Sequence, residues 1–334
     1  MFNIKKNTKI FIACPAYFKT GGTELLHQLA NELNKFTNVY IFYFDCKFNH
    51  PTNSSFLKYN VKFVKEISNK DNNINNILIV PEVNTDLLYK YNKMQRSIWW
   101  LSIDNFFVNH KASYYDDFRS KIMNYYRSLL NLKFEFGFNK NKYTHMAQSY
   151  YAVDYLKNKG IKEVIYLSDY INPIYLDEKD NQLLKEDIVL YNPKKGLKFT
   201  KKIIRICNEN IKFVPLINLS NDEVSVLLKK SKVYIDFGEH PGKDRFPREA
   251  VASGCCIITG KKGAAKNSKD IPIPRQYKFA DNEKNIPLII NKIGDCLMNY
   301  ETNNKKFSEY RDMIKGEKEY FQRDVLEIFR LRNL

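Results

Sequence analysis

What is missing from this 334-residue sequence narrows it first. No stretch approaches eighteen consecutive apolar residues, so a membrane-spanning helix is not expected. The six cysteines (14, 46, 207, 255, 256 and 296) are scattered, with no C-x-x-C pair and no histidine at zinc-finger spacing. Neither a disulfide scaffold nor a structural zinc module is indicated, and a reducing, cytoplasmic compartment is expected. No internal repeat recurs at a fixed period, no G-x-G-x-x-G follows the first apolar strand, and no D-x-D stands in a strand-loop context. Lys5, Lys6 and Lys9 precede the apolar stretch 10–18, but Pro15 interrupts it and no small-x-small cleavage site follows, so it does not read as a secretory signal. Acid is also scarce. Against 54 Lys+Arg stand 37 Asp+Glu, a formal net charge of +17, which implies an anionic partner: nucleic acid, acidic lipid or a phosphorylated ligand.

What remains is an ordinary globular composition, with 44% hydrophobic, 14% aromatic and 27% charged residues. That is enough apolar surface for a core, and the length allows two medium-sized domains. Short apolar runs alternate with helical spacing along the chain. Strands are expected at 9–14, 39–44, 77–80, 97–101 and 163–167, with a turn at 20–24 and helices over 25–33, near 117–130 and over 147–158. After a polar stretch near 177–182 the alternation restarts, with strands at 188–191, 212–216, 232–237 and 255–259 and helices at 199–208, 222–230 and 248–253. This order predicts an α/β protein of two Rossmann-like domains, spanning 1–172 and 173–305. Residues 306–334 read as an amphipathic helix that crosses back to the first domain.

The most informative stretch runs from Tyr234 to Gly260. It begins as a strand, passes through a loop with Gly242, Lys243 and Arg245, and enters a helix whose first turn is expected to hold Pro247, Arg248 and Glu249. Glycine and cations feeding a helix N-terminus form a setting for phosphate, because free N–H groups and the positive dipole end converge there. The alternative is a solvated loop in which Lys243, Asp244, Arg245 and Arg248 make local ion pairs. From 240 to 279 the chain carries nine Lys/Arg against three acids, so the positive surplus concentrates here.

The segment 236–259, with Glu249-Ala-x-Ala-x-Gly254, resembles the donor-site motif of GT-B glycosyltransferases, in particular the retaining group that builds bacterial surface polysaccharides. Residues 191–196, Tyr-Asn-Pro-Lys-Lys-Gly, are similar to that group's strand-loop with a basic residue and Lys-Gly, and Gly21-Gly22-Thr23-Glu24 resembles its amino-terminal glycine loop. The resemblance implies a nucleotide-sugar donor lying between two domains, mostly on the second. It implies that Glu249 binds the ribose, and that Asn192, Lys194, Lys195, Gly242, Lys243 and Arg245, with Gly21 and Gly22 opposite, hold the donor. Where the group has a second Glu eight residues before Glu249, this chain has Pro241, and Glu239 and Asp244 are the nearest acids.

Two further candidates come from the first half. Asp104 closes an apolar strand after Trp99 and Trp100, at an edge where parallel sheets present ligands; it reads equally as a capping residue. His145 is placed to approach a sugar, or is a core histidine with satisfied nitrogens. The reading that unites these features is a glycosyltransferase, retaining and metal-independent, with no cofactor beyond its nucleotide-sugar donor. Its lysines neutralise the leaving diphosphate. The acceptor is a hydroxyl of a surface glycan, free or lipid-linked, and much of the remaining charge suits work beside an anionic membrane. A nucleotide-sugar epimerase of similar architecture is the nearest alternative. A nucleic-acid-binding protein is less consistent with acids interspersed among the bases.

Overall fold

The computed structural model describes residues 2–331 except 45, 48, 111–133, 135, 138, 178–183 and 208–210. The helix expected near 117–130 lies outside the described residues. The chain divides into two compact units, one of residues 1–169 with 319–334 and the other of 170–318.

The first unit is built on a seven-stranded parallel sheet. Its strands are β1 (Lys9–Pro15), β2 (Asn38–Phe44), β3 (Phe63–Val64), β4 (Ile77–Pro81), β5 (Gln95–Trp100), β6 (Thr144–Ala147) and β7 (Val164–Tyr166), in the spatial order β3-β2-β1-β4-β5-β6-β7. Around it run α1 (Gly21–Leu33), α2 (Leu87–Lys90), α3 (Ile103–His110) and α4 (Tyr150–Asn158). Ile10, Ile12, Ile77, Leu78, Ile79 and Val80 are all fully buried, as strands covered on both faces require. Gly21 and Gly22, expected in a turn, form the first turn of α1. Thr20 caps it: its Oγ1 accepts from the Thr23 N–H, and the Thr23 hydroxyl oxygen accepts from the Thr20 N–H, a reciprocal box that lets the helix begin before the first leucine. β6 was not expected, because Thr-His-Met-Ala shows no period-2 pattern and borrows its burial from β5 and β7 on either side.

The second unit has four parallel strands, β8 (Glu186–Tyr191), β9 (Lys212–Pro215), β10 (Ser231–Asp236) and β11 (Cys256–Thr259), in the order β11-β10-β8-β9. Its helices are α5 (Leu197–Ile206), α6 (Asn221–Lys230), α7 (Arg245–Ala252), α8 (Ile286–Met298), α9 (Tyr300–Asn304) and α10 (Ser308–Lys315), and α11 (Glu317–Ile328) begins in this unit. The helical tail is therefore two helices meeting at Gly316. Val189, Leu190, Val233, Tyr234, Ile235, Cys256, Ile257 and Ile258 are wholly buried and form the sheet's share of the core. Each sheet has a point where strand order reverses, between β1 and β4 in the first and between β8 and β10 in the second. In open parallel sheets the loops leaving the carboxyl ends of such strands splay apart and leave room for a ligand.

Candidate functional site

In the second unit, three loops meet at the carboxyl edge: 192–196 after β8, 237–244 after β10 and 260–263 after β11. Glycine makes the approach close. Gly196 has φ +61°, and a Cβ there would lie 2.3 Å from the Phe237 carbonyl oxygen. A Cβ on Gly238 would meet the Lys195 Cβ at 2.4 Å, and one on Gly263 (φ +52°) would meet the His240 carbonyl oxygen at 2.0 Å. No L side chain fits these positions without moving backbone. Asn192 starts the first loop with an Asx turn, its Oδ1 accepting from the Lys194 N–H at 3.0 Å.

These contacts align four charged groups in a row. Lys195 Nζ lies 2.6 Å from Asp244 Oδ2. His240 is buried between Asp244, 3.1 Å from its Nδ1, and Asp236, 3.5 Å from its Nε2. Asp236 also accepts from the buried Tyr234 hydroxyl at 2.9 Å and from the Gly238 N–H at 3.0 Å. Burial is the largest influence on His240 and opposes its charge, yet the two carboxylates outweigh it and hold its pKa above the ordinary imidazole value. Burial likewise pushes Asp244 up, but His240 and Lys195 prevail and hold it below the usual carboxylate range. The row therefore alternates base and acid: Lys195, Asp244, His240 and Asp236.

A second ionic cluster fixes the same loop from behind. The fully buried Arg248 donates from Nη1 to Glu317 Oε2 at 2.7 Å, from Nη2 to the Lys243 carbonyl at 3.2 Å and from Nε to the Asp244 carbonyl at 3.3 Å. Lys243 Nζ reaches the other oxygen of Glu317 at 2.9 Å. One guanidinium thus ties two loop carbonyls and α11 together.

The expected site residues separate on this geometry. Asn192, Lys195 and Asp244 lie at the carboxyl edges of β8 and β10, and Lys194 beside them is exposed. Asp244 lies within the charge row as the N-cap of α7, where its carboxylate makes no capping bond and its Oδ2 meets Lys195 and His240. Lys243 pairs with Glu317 in the second cluster. Gly242 is buried, and the left-handed glycines of this edge are Gly196 and Gly263. The first turn of α7 is Arg245-Phe246-Pro247, which moves Glu249 into the second turn, where it is 8% exposed. Glu239 stands apart on the surface, paired with Lys262 at 2.8 Å.

In the first unit, Gly22 sits at the carboxyl end of β1, where a Cβ would touch the Leu101 side chain at 3.4 Å. Beside it Glu82, buried after β4, accepts from the Leu101 N–H at 2.8 Å. Burial raises its carboxyl to about 7 against these backbone donors. Asp104 accepts from the Tyr151 hydroxyl at 2.9 Å in the first turn of α3. His145 is a core residue. Its Nδ1 accepts from Trp100 Nε1 at 3.0 Å, its Nε2 meets the Lys140 carbonyl at 2.7 Å, and burial lowers its pKa to about 4, so no nitrogen is left to serve a substrate.

Sequence reasoning passed over Asp236, His240, Arg248 and Glu317 as a working group. The four-residue spacing Asp236, His240, Asp244 was the visible signal for the first three-membered set. Among the described residues, these three also bring one ligand-type atom each within 4.8 Å of the others, a grouping able to hold a metal ion. The donor set fits an ion poorly: Lys195 occupies Asp244, and the two ring nitrogens of His240 face different carboxylates.

No protein-family model matches the sequence, and no curated protein matches it. Solved structures match in fold. HepE of Anabaena, solved with UDP-glucose, is 11% identical, with 97% of this chain and 100% of that one covered and a TM-score of 0.65. A glycosyltransferase from Rickettsia africae is 15% identical over 99% and 100% of the two chains, with a TM-score of 0.63. Sucrose-phosphate synthase from Thermosynechococcus elongatus is 10% identical over 97% and 98%, with a TM-score of 0.67. The two-sheet α/β fold of this chain is thus the GT-B glycosyltransferase fold. No helix among the described residues is long and apolar enough to cross a membrane.

Proposed function

We propose that the chain transfers a sugar from a nucleotide-sugar donor to a hydroxyl of a surface-glycan acceptor, with the donor diphosphate at the carboxyl edge of the second sheet. The observation that carries this reading is the Lys195–Asp244 pair: a cation held on a left-handed turn at the strand-order reversal, beside the start of α7, in a fold whose solved examples include HepE with UDP-glucose. Lys195, exposed Lys194 and Arg245, the first residue of α7, supply positive charge for the leaving diphosphate. The N–H groups of Arg245 and Phe246 at the start of α7 offer further donors, Pro247 having none. Glu249, one turn further in, accepts hydrogen bonds from the ribose hydroxyls.

Metal independence is part of the proposal, because Lys195 and His240 already neutralise the carboxylates that an ion would need. Retention of anomeric configuration rests on the sequence resemblance alone. The same holds for a lipid-linked acceptor at an anionic membrane, to which the +17 surplus is suited. The test is incubation of the purified chain with a panel of nucleotide sugars, with and without acceptor glycan and EDTA. Transfer that needs acceptor and survives EDTA supports the reading. Conversion of donor alone identifies an epimerase, and loss in EDTA with rescue by a divalent ion contradicts metal independence.

A further inference from the structure

The second unit has a cavity of about 820 Å³ at the other edge of its sheet, where the strands begin. Lys185 precedes β8, Lys229 precedes β10, Ser253 and Gly254 precede β11, and Tyr300, Glu301 and Arg311 close the opposite wall. Its volume falls in the range of small-molecule sites.

Helices of a parallel α/β sheet end at this edge, so their carbonyls give it a negative dipole end. Here those carbonyls are already answered. Lys185 Nζ donates to the carbonyls of Leu228, Ser231 and Ser253 at 3.2, 3.0 and 2.8 Å. The Tyr300 hydroxyl donates to the Gly254 carbonyl at 2.7 Å, and Arg311 Nη1 to that of Val251 at 3.1 Å. With the dipole ends capped, four lining cations (Lys185, Lys229, Lys232 and Arg311) face one lining acid, Glu301. Asp187, outside the lining, pairs with Lys232 at 2.5 Å and still leaves a positive surplus.

An independent observation points to a ligand. Ser253 lines the cavity at 3% exposure, and among the described residues its Oγ has no hydrogen-bond partner. A buried hydroxyl without a partner carries a desolvation cost that a bound polar group would relieve. Burial also lowers the pKa of Lys185, a penalty that a nearby anion would offset. Beside these donors the Tyr300 ring lies 5.9 Å from Lys232 Nζ, offering a flat face next to a charge.

We infer that this cavity is a second binding site, for a phosphate monoester carried on a hydroxylated body, held by Lys232, Arg311 and the Ser253 hydroxyl. The inference does not depend on the proposed transferase activity. Two sources share this chemistry, a soluble sugar phosphate and a phospholipid headgroup; Leu184 and Met298, 90% and 81% exposed among the lining residues, offer apolar contact to the second.

The test uses the full chain and calorimetry with inorganic phosphate and glucose 6-phosphate, each with and without UDP, and co-sedimentation with vesicles containing phosphatidic acid or neutral lipid only. Binding to either the sugar phosphate or the acidic vesicles, undisturbed by UDP, is expected. Lys232→Gln should weaken it about tenfold, as expected for a lost charge-assisted hydrogen bond. Ser253→Ala should weaken it about fivefold without lowering the unliganded melting temperature, since no protein hydrogen bond is lost and an unpaired buried hydroxyl is removed. No binding up to about 10 mM in solution, beyond the range of a weak site, together with no preference for acidic vesicles, overturns the inference. So does binding that both variants retain in full, or that UDP displaces.

Discussion

Lys195 Nζ and Asp244 Oδ2 lie 2.6 Å apart across 49 positions of sequence, joining the turn after β8 to the N-cap of α7. Both strands that flank the reversal of strand order are thereby locked at their carboxyl ends. Asp244 holds Lys195 through Oδ2 and makes no capping bond to its own helix.

Gly196→Ala should damage this edge more than any exposed substitution. The left-handed conformation costs an L residue roughly 1–2 kcal/mol, and the added Cβ would sit 2.3 Å from a carbonyl oxygen that is itself backbone. Denaturant unfolding should show a loss above that strain alone, together with weakened nucleotide binding, because Lys195 is the neighbouring residue.

Glu317→Ala should destabilise the second unit by about 3–5 kcal/mol, the usual consequence of leaving a buried charge uncompensated. Arg248 would lose its carboxylate while fully buried, and Lys243 would lose the same partner. Glu239→Gln is the control. Glu239 is 67% exposed and its partner Lys262 keeps Asp281 at 2.7 Å, so the change should alter stability by less than about 1 kcal/mol. For the same reason Lys243→Ala is a poor probe of phosphate binding: it acts first on folding.

The protonation of His240 should appear in the pH dependence of stability. Its folded pKa lies above the unfolded value near 6.5, so its contribution is complete below that pH and is lost as pH rises through the folded pKa. The melting temperature of the native chain should therefore fall relative to that of His240→Gln as pH is raised above 6.5. A constant difference between the two from pH 6 to 9 would contradict the raised pKa of His240.

Glu82 should give a response in the other unit. Its carboxyl, ordinarily near 4.5, is raised to about 7 by burial, so the stabilising neutral form is fully present below 4.5 and is lost as pH rises through 7. Glu82→Gln keeps an oxygen for the Leu101 N–H and cannot ionise. Its melting temperature should gain on the native chain between pH 5 and pH 8.

Much of the architecture was readable because buried parallel strands are nearly continuous apolar runs: 77–80 and 232–237 stand out for this reason. Helix beginnings were harder. Gly21 and Gly22 have poor helical propensity and read as a turn, yet the Thr20–Thr23 box starts the helix on them. At the candidate site, the sequence resemblance named Lys195 and Glu249, and the ion-paired alternative for Lys243 and Arg248 left their partner open. Lys243 and Arg248 look like surface charges beside Asp244 until Glu317, 69 positions beyond Arg248, is placed against both. Of the two readings of His145 the core one holds, and the groups that decide it, Trp100 and the Lys140 carbonyl, are not its immediate neighbours in sequence.

The central claim is that the carboxyl edge of the second sheet holds a nucleotide-sugar diphosphate through Lys195. Calorimetric titration of UDP and UDP-glucose, extended to the other nucleotide sugars, into the native chain and Lys195→Met tests it most directly. At 33% side-chain exposure Lys195 can be replaced without unfolding the unit. The account predicts that one of these ligands binds the native chain and that the variant binds it at least about tenfold more weakly, the loss of a charge-assisted contact. Equal affinity in a folded variant, or no nucleotide bound by the native chain, would contradict it.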